Sequence, residues 1–186
     1  PDAPLQPGKK LRSLGFHVQL QGQAARMRVT DVLDETAIVV GKSWPSLEAT
    51  VRALAERLVA AGRLPQEVLE ETVRGVCARE RENSTAMVDI GVSIPHVRTA
   101  GVAGVACALA VDAREVYSVA FGLPISIVAL VVSSAQMAEL HLEFLSALSM
   151  LFQSAECRSQ LKRATSPQEV WVVLRGHDGS GGRFGF

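Results

Sequence analysis

A three-layer α/β sandwich, with a mixed, mostly parallel sheet and helices on both faces, is the fold class this sequence predicts. Two observations carry the prediction. The stretches "GVACALAV" and "ISIVALVV" are nearly continuous apolar runs of strand length, as expected of strands covered on both sides. Segments of helical periodicity precede and follow them, so a helix is available for either face. Composition agrees: in 186 residues, 48% are apolar and 20% charged, a globular profile on a chain long enough for one good-sized core.

In chain order, residues 1–29 read as a flexible arm or linker, because "PDAPLQPGKK" is proline-rich and no periodicity follows. "TAIVV" (36–40) is a short strand. Leu47, Val51, Leu54 and Leu58 then fall at helical spacing, with Ser46 as N-cap and Gly62 as stop. Pro65 opens a second helix carrying Val68, Leu69, Val73, Val76 and Cys77 on one face and ending in the charged "AREREN". Three strands are expected next, at "VDIGVSI", "VACALAV" and "ISIVALVV". A helix from Ala138 to Phe152 is apolar nearly all round and is expected to be well buried. "AECRSQLKRA" and "SPQEVWVVLR" complete the fold as helices, the second with Ser166 at the cap, Pro167 first inside and Glu169 completing a capping box. The folded unit is therefore 30–175, and the glycine-rich residues 176–186 form a flexible tail.

Charge and cysteine usage exclude several function classes. Lys+Arg and Asp+Glu are both 19, so no broad basic field exists for nucleic acid. Cys77, Cys107 and Cys157 are scattered and form no C-x-x-C pair. They are expected to be reduced, apolar side chains in a cytoplasmic protein. The apolar runs are shorter than the ~20 residues a membrane helix needs, so direct membrane insertion is not expected. H-E-x-x-H, G-x-x-x-x-G-K-[ST], G-x-G-x-x-G and G-x-S-x-G are all missing, and neither a metal nor a cofactor is expected.

The stretch "DIGVSIPHVRTAGV" places His96 directly after an Ile-Pro pair. Pro95 has no N–H to donate to a sheet, so the strand is expected to end there and His96 to stand where the surface begins. His141, in "AELHLEFLSALSMLF", sits near the start of the buried helix, where taken alone it reads as a satisfied core histidine. His17 and His177 fall in the arm and the tail and carry no role.

The order "CARERENSTAMVDIGVSIPH", "LPISIVALVV", "AELHLEFLSALSMLF" resembles the type-2 enzyme IIA domain of the bacterial phosphoenolpyruvate-dependent sugar phosphotransferase system, the mannitol, fructose and nitrogen-regulatory class. That family shows an Arg-Glu pair ending a helix, then Ser-Thr, then a strand ending Ile-Pro-His. A later strand opening on Pro follows, with a helix carrying His-Leu. The resemblance covers about residues 31–175. It implies that His96 is the phosphorylated histidine, His141 the second histidine of the site and Arg79 the nearby arginine. Ser84 and Thr85 would donate hydrogen bonds beside them. Matching the Ser-Thr pair selects Arg79 over Arg81 and leaves one extra residue before Gly91. The family's usual small residue after the active histidine is Val97 here, and a bulkier side chain is expected to restrict a donor's approach.

On this resemblance the expected function is a phosphocarrier. It would accept a phosphoryl group from an HPr-type phosphocarrier protein on His96. It would then pass it to a cysteine of a IIB domain, or use the charge to regulate a target such as a potassium transporter or sensor kinase. The alternative is a non-catalytic sensor or interaction module with a degenerate site. The chemistry suits the residues. Neutral imidazole is nucleophilic near neutrality, and phosphoryl transfer asks mainly for alignment and for compensation of negative charge, which Arg79 and His141 would supply.

Overall fold

The computed structural model describes residues 27–178. His17, most of the predicted arm and most of the tail lie outside the described residues. The first ordered elements follow from their caps. Strand β1 (Leu33–Val40) leads to helix α1 (Leu47–Ala60), which starts where Ser46, in extended conformation, accepts the N–H of Ala49 on its hydroxyl at 3.2 Å. α1 buries Val51, Leu54, Ala55 and Leu58 and stops before Gly62, which takes a left-handed φ of +66°. Pro65 opens a single 3-10 turn holding Val68, and α2 (Leu69–Glu82) follows, with Leu69, Val73, Val76 and Cys77 buried.

Beyond α2 come β2 (Val92–Ser93), β3 (His96–Thr99) and β4 (Val105–Val111). The small hairpin β5 (Tyr117–Ser118) and β6 (Pro124–Ile125) follows, then β7 (Ile127–Ser134). Helices α3 (Ala138–Gln153), α4 (Ala155–Arg163) and α5 (Pro167–His177) close the chain. The main sheet runs β1–β4–β7, with β2 and β3 lying end to end along the far side of β7. Only β4 and β7 are antiparallel; β1 is parallel to β4, and β2 and β3 are parallel to β7. Every residue of β4 is buried, as are Ile127–Ser133 of β7. Layers therefore cover both faces, with α1 and α2 on one side and α3–α5 on the other.

Four expectations need correction. The strand expected at 88–94 shrinks to Val92–Ser93, because Gly91 turns at φ +68° and the Met87 N–H closes back on the Val92 carbonyl at 2.7 Å. The chain does not end its strand at Pro95: it resumes pairing at His96, the first residue of β3, opposite Val131. Pro95 accepts the Val131 N–H at 3.0 Å but has no N–H to return, so the edge strand is interrupted rather than ended. α3 is not buried all round: Phe144, Leu148, Leu151 and Phe152 enter the core, while Leu140 and Leu142 stay 39% and 65% exposed. The folded unit also reaches further than 30–175. Val29 is buried, and the Asp178 carboxylate, just past α5, accepts the N–H groups of Val29 and Thr30.

The α5 cap shows how local sequence sets an element. Ser166 accepts the Glu169 N–H at 3.2 Å, and Pro167 occupies the first turn. The Glu169 carboxylate, however, takes the N–H of Thr165 at 2.7 Å, one residue before the cap where a capping box would end.

Candidate active site

Side chains alternate along a strand, and residues opposite one another in register share a face. His96 and Arg98 of β3 therefore project to the same side as Val131 and Ser133 of β7, their register partners. α3 packs on that side and lowers His141 onto it. The His96 and His141 ring centroids lie 5.3 Å apart, with the planes tilted by 51°. The 44 residues between the two histidines run through the rest of β3, β4, the β5–β6 hairpin and β7, which brings the pair together.

Each ring is held by its Nδ1. His96 Nδ1 lies 2.8 Å from the carbonyl oxygen of Ile94, two residues back. A carbonyl only accepts, so Nδ1 carries the proton and Nε2 keeps its lone pair. His141 Nδ1 lies 2.7 Å from the hydroxyl of Ser133. Both rings are largely buried, at 9% and 5% exposure, so His96 does not project into solvent as the sequence suggested. The interrupted edge strand tucks it under α3 instead.

Electrostatics keep both rings neutral. Burial is the largest influence lowering the pKa of His96, with Arg79 adding to it; the hydrogen bond to Ile94 and the Glu80 charge oppose it. His141 is pushed down to about 4, first by burial, then by His96, Arg98 and Arg79. Arg79 lies in the last turn of α2, and Arg98 stands two residues after His96; both side chains are exposed. Arg98 escaped the sequence reading, although a charged residue two places along a strand from a candidate histidine must share its side. Ser133 escaped as well, because the apolar run stops at Val132.

Ser84 and Thr85 do other work than direct donation to the site. Thr85 donates its hydroxyl proton to the buried Glu80 carboxylate at 2.7 Å and gives it a backbone N–H at 2.9 Å. The same hydroxyl oxygen accepts the Ile94 N–H and lies 3.2 Å from the hydroxyl of Ser93. Thr85 thereby ties the end of α2 to the strand segment that aims His96. Ser84 is exposed, and its hydroxyl accepts the N–H of Ala86.

Val97 points away from the histidines. It packs on the α2 side, where a β-carbon placed on Gly75 would stand 3.2 Å from Val97 Cγ2. The expectation that Val97 obstructs a donor is corrected by this geometry: its bulk fills the gap left by a glycine inside α2.

Fold and site together define a class: a mixed-sheet α/β protein in which an edge strand and the helix after the last strand converge two neutral histidines within the electrostatic reach of two arginines. The sequence matches the family model described as "Phosphoenolpyruvate-dependent sugar phosphotransferase system, EIIA 2" over residues 31–176, and the chain belongs to that family. It is 28% identical over 153 residues to the 2-O-alpha-mannosyl-D-glycerate-specific EIIABC component of Escherichia coli, covering 80% of this chain and 22% of that protein. It thus spans about a fifth of that relative's length. The fructose-specific EIIA component of Haloferax volcanii is 29% identical over 152 residues, covering 80% of this chain and 97% of that protein. Among solved structures, the nitrogen regulatory protein IIA-Ntr of Neisseria meningitidis matches with a TM-score of 0.64 and 25% identity, over 78% of this chain and 98% of that one. No helix among the described residues is long and apolar enough to cross a membrane.

Proposed function

We propose that this chain is a phosphocarrier that takes a phosphoryl group onto His96 from an HPr-type protein. The observation that carries the reading is the pair of rings, each tied by Nδ1, with 5.3 Å between their centroids. The lone pair on His96 Nε2 forms a bond to phosphorus while the bond from phosphorus to the donor's histidine nitrogen breaks, its electron pair returning to that nitrogen. Positive charge developing on the His96 ring is eased by the Ile94 carbonyl at Nδ1. Negative charge on the transferring oxygens meets Arg79, and His141 offers a donor at short range. The onward acceptor is a IIB-domain cysteine, or the phosphoryl group serves as a charge signal to a target such as a potassium transporter or sensor kinase. Three free thiols, Cys77, Cys107 and Cys157, support a cytoplasmic setting.

Incubation with phosphoenolpyruvate, enzyme I and HPr should place one acid-labile phosphoryl group on Nε2 of His96. His96→Ala should abolish labelling, and His141→Ala should still be labelled but transfer slowly. A folded wild-type protein that takes no label from phosphorylated HPr would overturn the carrier reading in favour of a sensor module.

A further inference from the structure

We propose that Ser133 is a positioning residue that fixes the tautomer of His141, so that its Nε2–H faces the phosphoryl group carried by His96. The inference rests on the carrier reading for its functional half and on geometry for its structural half. Ser133 is fully buried near the end of β7, the only polar side chain among the residues Ile127–Ser133. Its hydroxyl lies 2.7 Å from His141 Nδ1 and has no other hydrogen-bond partner among the described residues.

Two arrangements satisfy that distance. In the first, the Ser133 O–H donates to a bare Nδ1, and the ring proton sits on Nε2. In the second, Nδ1–H donates to the Ser133 oxygen, and the hydroxyl proton then needs another acceptor. None is within reach, so the second arrangement buries an unpaired donor, which biases the population against it roughly 5- to 150-fold. The first therefore prevails.

The consequence falls on the other nitrogen. An Nε2–H donates to a phosphoryl oxygen, whereas a bare Nε2 lone pair repels it. The same bond disfavours the doubly protonated ring, whose Nδ1–H would leave the Ser133 hydroxyl proton without an acceptor, so His141 meets the phosphoryl group as a neutral donor. A carboxylate at that position would hold the ring charged before phosphorylation, and an alanine would leave its tautomer open.

The test reads the ring directly, by long-range proton–nitrogen correlation on the full chain with labelled histidine. Wild-type His141 should show a protonated Nε2 and a bare Nδ1. Ser133→Ala should give a mixture of tautomers and slow transfer from phosphorylated HPr about tenfold, the equivalent of one lost hydrogen bond, with the KM for HPr unchanged. Ser133→Thr, which keeps the hydroxyl, should retain the signature and the rate. A wild-type ring with its proton on Nδ1 overturns the proposal even if the Ala variant fails to fold. A folded Ala variant that keeps the wild-type signature, or a folded Thr variant that loses it, overturns it too. If His96 takes no label while His141 carries Nε2–H, the carrier reading falls and the tautomer assignment stands.

Discussion

Val97 and Gly75 are complementary across the β3–α2 contact: a β-carbon on Gly75 would come within 3.2 Å of Val97 Cγ2. Val97→Gly should therefore open a void rather than a doorway. We expect a loss of roughly 1–3 kcal/mol in urea unfolding, combining lost packing with strand glycine entropy. The labelling rate should not increase. Adding Gly75→Ala should recover part of the loss, because helix propensity gains about 1 kcal/mol once the valine is gone. The same substitution in the wild type should recover nothing, so a double-mutant cycle without coupling would refute the pairing.

Acid should weaken the fold through the histidine pair. Both rings have folded-state values below the ordinary 6.5, so the unfolded chain binds more protons between the two values. The contribution is fully present above about pH 6.5, is lost as pH falls, and levels off once the folded value of about 4 for His141 is passed. Denaturant unfolding at pH 7 and pH 4.5 should show the wild type losing on the order of 1–3 kcal/mol more than His141→Gln. Parallel losses would count against a buried neutral ring.

Removing Arg98 should move His141 in a defined direction. A nearby cation disfavours the imidazolium, so Arg98→Gln should raise the His141 pKa, and Arg79→Gln should raise both histidines. Proton NMR titration of the two rings measures this. If Arg98 also meets the phosphoryl oxygens, Arg98→Gln should slow labelling while Arg98→Lys restores part of the rate.

Thr85→Val should damage the site from behind. It removes the hydroxyl that pairs with Glu80 and receives the Ile94 N–H, leaving a buried carboxylate one donor short. A thermal shift corresponding to about 2–3 kcal/mol is expected, with phosphorylation impaired in proportion to the disorder of the strand around His96. A variant as stable as wild type would mean that water replaces the hydroxyl.

The strands β4 and β7 were legible because apolar runs of seven (Val105–Val111) and six (127–132) residues leave little choice, and α1 and α5 because Ser46 and Ser166 announce their caps. The histidine pair was legible only through the order of three motifs; neither ring alone signalled it. What stayed hidden depends on sides and partners. Val97 reads as bulk beside a histidine until the strand's alternation sends it to the opposite face. Pro95 reads as an end, since a missing N–H cannot say whether the ladder resumes at the next residue. The leucines of α3 read as core on every side, because residue type records hydrophobicity and not whether a neighbour covers it. Ser133 is one polar residue after an apolar run, and only the packed helix gives its hydroxyl a purpose.

The bonds that aim His96 also change how the molecule meets its own kind. β3 forms an open margin of the sheet, whereas at β2 Met87 already pairs with both backbone groups of Val92; an open margin presents a row of backbone groups to which another chain can add a strand. At Ile94, between the two segments, both groups are already taken: the N–H by the Thr85 hydroxyl and the carbonyl by the His96 ring. The exposed charge of Arg98 stands immediately beyond. An incoming strand would have to dismantle the histidine's anchor before it could pair, so the residues that orient the ring also guard this edge against self-association and fibril growth.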